Sequence, residues 1–225
     1  MASSIRLRSK SPRLPRKRPG PEGGKRDRNR RANQQQLVDA ALGLMLANGT
    51  ASVTIDQIVE RAGMAKGSFY RYAADKEDLV AQILTPVIAE ATAALDRCEQ
   101  QLRTKRRDDV AAIYLVLARD LSQVVARHAP RVLMYLQEAR APQGAVAPAI
   151  QHLADALTSR TIALTEIARD HGLIRPVDPE ISALAVLGAV EAILFAHLRS
   201  RRAPRAGIPH VTAELVDIVL RGIRG

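Results

Sequence analysis

Lys66, Gly67, Ser68, Tyr70 and Arg71 stand in one short stretch and together have the chemistry of a surface that grips a polyanion. Long cationic donors reach phosphate oxygens and base edges, a hydroxyl serves either, and a glycine lets the backbone approach closely. None of these groups is arranged to make or break a bond. The chain shows no glycine-rich phosphate loop, no nucleophile beside a base, no metal-ligand spacing and no paired carboxylates, so an enzyme is not expected and no catalytic residue, metal or cofactor is assigned. His128, His152 and His171 fall at helix ends or exposed faces without ligand spacing.

Charge points the same way. The chain of 225 residues has a formal net charge of +11. Twelve basic residues against Glu22 and Asp27 lie within residues 1–31, which puts ten of those eleven charges in the first seventh of the chain and leaves the rest nearly balanced. That segment also holds Pro12, Pro15, Pro19 and Pro21 with almost nothing apolar. It cannot bury enough surface to offset its own ordering entropy, so residues 1–31 are expected to form a disordered basic arm. A flexible polycation suits nucleic acid, whose counterions it displaces. A merely solubilising tail is the plain alternative, and an anionic membrane suits it less because no apolar face accompanies the charge.

The elements that must position Lys66 to Arg71 are legible. Leu37, Ala40, Ala41, Leu44, Met45 and Ala47 recur at helical spacing up to Asn48-Gly49, where a glycine can close the helix. Thr54 followed by Gln57 forms a capping box that opens a second helix with Ile58, Val59 and Ala62 inward, and Gly63 ends it. A third helix is expected over about Lys66 to Tyr72, and Asp75 with Asp78 caps a fourth. Two short helices joined by a glycine turn and packed on a preceding one make a helix-turn-helix, whose second member lies in the major groove.

The stretch Thr54-Ile55-Asp56-Gln57-Ile58-Val59-Glu60-Arg61-Ala62-Gly63-Met64-Ala65-Lys66-Gly67-Ser68-Phe69-Tyr70-Arg71-Tyr72, followed by Lys76-Glu77-Asp78-Leu79, resembles the DNA-binding signature of the tetracycline-repressor (TetR) family. His171-Gly172-Leu173-Ile174-Arg175-Pro176 with Asp178-Pro179 is a weaker echo of the link such proteins have before their last two helices. The resemblance implies an all-α homodimer. Its N-terminal module would read a palindromic operator in double-stranded DNA, and the other helices would hold a small-molecule effector and the dimer seam. Carried over, Thr54 would meet a phosphate, Lys66, Gly67, Ser68 and Arg71 would lie in or beside the major groove, and Tyr70, Tyr72 and Lys76 would touch the backbone. Two positions depart from the family: Ala65 replaces a capping Ser, a loss of about 1 kcal/mol, and Ala73 replaces an aromatic, leaving Phe69 and Leu79 to fill the interior. The structural alternatives are that Phe69 is core, Tyr70 and Tyr72 are spacers, and Arg71 is a solvated charge.

Beyond Leu84 the pattern stays helical, consistent with 47% hydrophobic residues but only 3% aromatics and no Trp. Helices are expected at 110–126, 131–139, 145–171, 179–198 and 209–223, for about nine in an all-α fold, with Pro86 kinking the fourth. The domains implied are an arm over 1–31, a DNA-binding module over 32–78 and an effector-binding and dimerisation body over 79–225. Residues 181–196 are apolar all round, and Val211, Leu215, Ile218, Val219 and Gly222 form a second stripe; a two-fold bundle of these last two helices would hide both, an intrachain core being the alternative. Glu191 inside the greasiest helix needs an answer: an Arg, His197, a neighbouring chain or an effector. Tyr114 and Glu138 are further candidates to line an effector cavity. The lone Cys98 cannot form an internal disulfide, which suits a reducing cytoplasm; it reads as packing, with redox sensing the alternative. No secretory signal is legible, and the apolar run from Ala183 to Ala196, broken by Glu191, reads as too short to span a bilayer. Three functions compete: a repressor released by a small molecule, an architectural DNA-coating protein with little effector control, and, least supported, an enzyme.

Overall fold

The computed structural model describes residues 24–104, 109–140 and 146–199, together with Glu214, Asp217 and Ile218. Seven helices make up the described fold: α1 (Lys25–Asn48), α2 (Ile55–Arg61), α3 (Lys66–Phe69), α4 (Lys76–Leu102), α5 (Val110–Glu138), α6 (Ala147–Asp170) and α7 (Pro179–Arg199). No strand occurs among the described residues. The final helix expected over 209–223 lies outside them except for Glu214, Asp217 and Ile218, which are helical and exposed.

The chain divides into two compact units, residues 1–35 and 36–225. In the first, residues 25–31 are helical where an arm without structure was expected. Arginine is a good helix former, and Asp27 in the first turn both suits the helix dipole and pairs with Arg31 at 3.0 Å and Arg30 at 3.9 Å. Residues 1–23 of the expected arm lie outside the described residues.

In the second unit, Leu37, Ala41 and Met45 of α1, Ile58 of α2, Phe69, and Leu79, Ile83 and Leu84 of α4 share one buried cluster with Met134 and Leu136 of α5 and Leu153 of α6. A second cluster joins Leu95, Cys98 and Leu102 of α4 to Ile113 of α5 and Leu164 and Ala168 of α6. Helix α4 packs on both α5 and α6, and α7 lies against α5 and α6. It runs unbroken through Pro86. The two helices expected on either side of Pro130 meet at a kink within α5: His128 leaves helical geometry at φ −119° and ψ 24°, two residues before the proline.

Helix α7 is 21 residues long with a mean hydropathy of 2.0 in its most apolar window, so by length and composition it could cross a bilayer, contrary to the shorter span read from Ala183 to Ala196. The helix begins at Pro179 as expected, with Asp178 receiving the Ile181 amide at 2.9 Å, so a turn before the apolar run at Ala183 adds to its length. Of its side chains only Ala183 is buried. Helix α4 passes the same length test but has its apolar face in the core.

Candidate nucleic-acid interface

The turns of the N-terminal module are held from several sides. Asn48 ends α1 and Gly49 takes φ +78°, a left-handed conformation that a side chain would strain. Thr54 caps α2: its amide donates to Gln57 Oε1 at 2.9 Å, and its hydroxyl receives the Gln57 amide at 3.3 Å. Gly63, at φ +63°, makes the turn into α3. Gln36 of α1 donates to the Ala62 carbonyl at 2.7 Å, and Gln82 of α4 donates to the Tyr72 carbonyl at 2.8 Å, so the segment carrying α3 is tied on both sides to flanking helices.

Helix α3 is only four residues, shorter than the seven expected. Ala65 at its cap makes no side-chain hydrogen bond, as the missing Ser implied, and a turn replaces the helix from Tyr70. Phe69 is wholly buried, and Ala73 beside it is covered by the same cluster, so Phe69 and Leu79 occupy the interior in place of an aromatic at 73. Around that anchor Lys66, Gly67, Tyr70 and Arg71 are all exposed, Tyr70 by 58%. Tyr70 stacks edge-on against Phe69 with ring centroids 5.3 Å apart, which directs it outward on a fixed base. Nothing lies within 4 Å of where a Cβ would project from Gly67, so its face is open to a close-approaching surface.

The cations differ in how free they are. Arg71 donates to Ser68 Oγ at 2.9 Å and lies over the Tyr72 ring at 5.8 Å. Lys66 pairs with Asp56 of α2 at 2.7 Å, with both side chains mostly exposed. The Asp56 hydrogen bond, then its charge, holds the Lys66 ammonium above its usual value. Such an exposed pair is weak and readily exchanged for a phosphate. Lys76 is used differently from the backbone contact expected of it: its ammonium donates to the Thr50 carbonyl at 2.8 Å and the Val53 carbonyl at 3.1 Å, closing the α1–α2 turn with two of its three hydrogens. Thr54 is exposed and Tyr72 is half-buried against the core. The six groups Thr54, Lys66, Gly67, Ser68, Tyr70 and Arg71 thus fall between the cap of α2 and the turn after α3, whereas Lys76 is part of the frame.

The three candidate effector residues do not meet. Tyr114 packs against the second cluster, and burial, then the charge of Cys98, pushes its hydroxyl up. Burial likewise pushes the Cys98 thiol up to about 12, which leaves it protonated and unreactive near neutrality. Among the described residues, Glu191 is answered by the Tyr135 hydroxyl, which donates to it at 2.6 Å, instead of by an arginine or His197. Glu138 receives the Thr50 amide at 3.1 Å and the Thr50 hydroxyl at 2.6 Å, so it faces the α1–α2 turn instead of a cavity. Neither Thr50 nor Tyr135 had a signal in the sequence, because their partners lie 88 and 56 residues away. A groove of about 610 Å³ instead lies between the first turns of α4 and the start of α6. Ala81, Ile88, Ala89, Pro148 and Ala149 form its apolar wall, with Glu77, Thr85 and His152 among its polar groups. Among the described residues no three potential metal ligands come together.

Residues 37–83 match the family described as bacterial regulatory proteins, tetR family. The HTH-type transcriptional regulator YhgD of Bacillus subtilis (strain 168) is 23% identical over 159 residues, 71% of this chain and 81% of that protein. The fold is that of the regulator FadR from Bacillus subtilis, solved with stearoyl-CoA, at a TM-score of 0.65 and 15% identity over 84% of this chain and 99% of the other. It is also that of AibR, solved with isovaleryl coenzyme A and operator DNA, at a TM-score of 0.59 and 20% identity over 84% and 98%.

Proposed function

We propose, on the premise that residues 37–83 make this chain a tetR-family regulatory protein, that it binds a palindromic operator as a homodimer and is released from it by a small molecule. One observation carries the DNA-binding part: Phe69 is sealed in the core while Lys66, Gly67, Tyr70 and Arg71 around it face outward on turns tied at both ends. That arrangement presents donors and an open backbone to a major groove at a defined angle. Two copies would address half-sites about 34–36 Å apart or a multiple of that.

The dimer reading rests on α7. Ile181, Leu184, Ala185, Gly188, Ala189 and Ala192 are exposed and recur at three- and four-residue spacing, one apolar face with no cover among the described residues. A second copy of the same face covers it with two-fold symmetry. A reader of DNA must have access to it, so the protein is assigned to the cytoplasm.

The groove beside α4 has the volume of a small-molecule site, and its apolar wall favours a ligand with an apolar body. The stearoyl and isovaleryl thioesters held by FadR and AibR have such bodies. A ligand there bears on the first turns of α4, which adjoin the reader. By population shift, it weakens operator binding by the ratio of its affinities for the free and DNA-bound conformations.

The test is binding of the full chain to duplexes selected from a random pool, followed against salt. A selected palindrome bound far above random duplex supports the reading; equal affinity for both rejects it. Deleting residues 1–23 separates the architectural alternative: for a sequence reader the salt slope falls while discrimination survives, whereas for a DNA-coating protein binding itself is lost.

A further inference from the structure

The end of α5 makes two side-chain contacts that lead in different directions. Tyr135 donates to Glu191 of α7 at 2.6 Å, and three residues later Glu138 holds the amide and hydroxyl of Thr50 at 3.1 and 2.6 Å. Residues three apart share a side of a helix, so both contacts move with the same turn. Thr50 is 2% exposed, and its carbonyl is taken by Lys76 at 2.8 Å, so every polar atom of this residue is bonded to a side chain of α4 or α5. Hydrogen bonds to a carboxylate are short and about twice as strong as neutral ones. Thr50 stands four residues before the Thr54 cap, in the turn that leads from α1 into α2 and on to α3. At the other end, Glu191 belongs to the helix whose apolar face has no cover among the described residues, so its seating depends on what covers that face.

We propose that Glu138 is a positioning residue for the DNA reader, and that with Tyr135 and Glu191 it forms a relay carrying the seating of α7 to the α1–α2 turn. The relay rests on the operator-binding dimer proposed above and adds to it a route that bypasses α4. Displacing α7 breaks the Tyr135–Glu191 bond, loosens the last turn of α5 and releases Thr50. In the assembled state all three groups are engaged and the reader is held at its working angle.

The experiment compares the full-length wild type with Glu138→Gln, Tyr135→Phe and the double variant by hydrogen exchange and by affinity for a duplex that the wild type selects from a random pool. Both single variants are expected to exchange faster over residues 49–62 while residues 110–125 stay unchanged. The double variant is expected to be no faster than Glu138→Gln, as for two groups acting in series. Affinity of Glu138→Gln for the selected duplex is expected to fall about tenfold, the effect of losing a charge-assisted hydrogen bond, with random duplex unaffected. The relay is overturned if Tyr135→Phe leaves residues 49–62 unchanged, if the two substitutions add, or if selected and random duplex weaken alike. Failure to select any duplex sinks the operator reading alone, and the exchange pattern still decides the relay.

Discussion

The reader and α7 are opposite solutions to the same problem. In the reader, small helices that could not stand alone are closed by caps, by Gln36, Gln82 and Lys76, and by a core that includes Phe69, and what remains exposed is mostly polar. Helix α7 is long and strongly apolar, yet buries only Ala183 and exposes Ile181 by 69% and Leu184 by 53%. A region whose apolar surface is satisfied within the chain shows its function in its polar surface. A region whose apolar surface is left over shows its function in that surface, because water penalises it until something covers it.

The strongest way to break this contrast is to charge α7. In Ile181→Glu with Leu184→Glu each change occurs twice across a two-fold seam, and each lost burial is worth roughly 1.5–3 kcal/mol, so self-association should weaken by at least about a thousandfold. Sedimentation at several concentrations measures it; a wild type that is monomeric, or a variant that still dimerises, removes the distinction. The counterpart in the reader is Phe69→Ala, which should lower folding stability by about 3–5 kcal/mol in chemical denaturation. A loss that varies with protein concentration would mean that the reader's core is not self-contained. Smaller is Thr54→Ala, which removes the cap of α2 and should cost about 1 kcal/mol.

Gly67→Ala sharpens the contrast by giving opposite signs. With open space at its Cβ position, alanine should stabilise the free protein by up to about 1 kcal/mol, while binding to the selected duplex weakens because the backbone can no longer approach as closely. Stabilisation without loss of binding would show that this face does not meet DNA. The least effect is expected at Glu90 in α4, whose carboxyl is held below its usual value chiefly by the His128 hydrogen bond and also by Arg127. A carboxyl lowered on folding stabilises at pH above its unfolded value, and that contribution disappears as pH falls through the folded value. Denaturation at a series of acid pH values should therefore show a shallower decline for Glu90→Gln than for wild type.

Much of the reader was legible because its signals are local. The capping box needs only Thr54 and Gln57, the α4 cap only Asp75 and Asp78, and the closing glycines only their own backbone freedom. The difference between the expected and observed length of α3 is local too: Ala65 leaves its start uncapped, and the chain turns from Tyr70 although Tyr70, Arg71 and Tyr72 are all residues a helix accepts. Roles of single polar groups in the body were not legible. Glu138 ends α5 and Glu191 lies in an apolar helix, and nothing nearby in sequence distinguishes a carboxylate that lines a cavity from one that reaches Thr50 or Tyr135. Lys76 was similarly ambiguous, since an ammonium suits a phosphate and a pair of carbonyls equally.

By itself the sequence determined the all-helical character, the order of the reader's elements, their caps and the outward-facing set from Lys66 to Arg71, because helix period and capping act over three or four residues. Tertiary structure alone decided that Glu138 faces Thr50, that Tyr135 answers Glu191, that Lys76 braces a turn, and that α7 is left uncovered by the other described residues. Those outcomes depend on which helices are neighbours in space. A buried polar group takes whatever partner packing brings within about 3 Å, however distant in sequence that partner is.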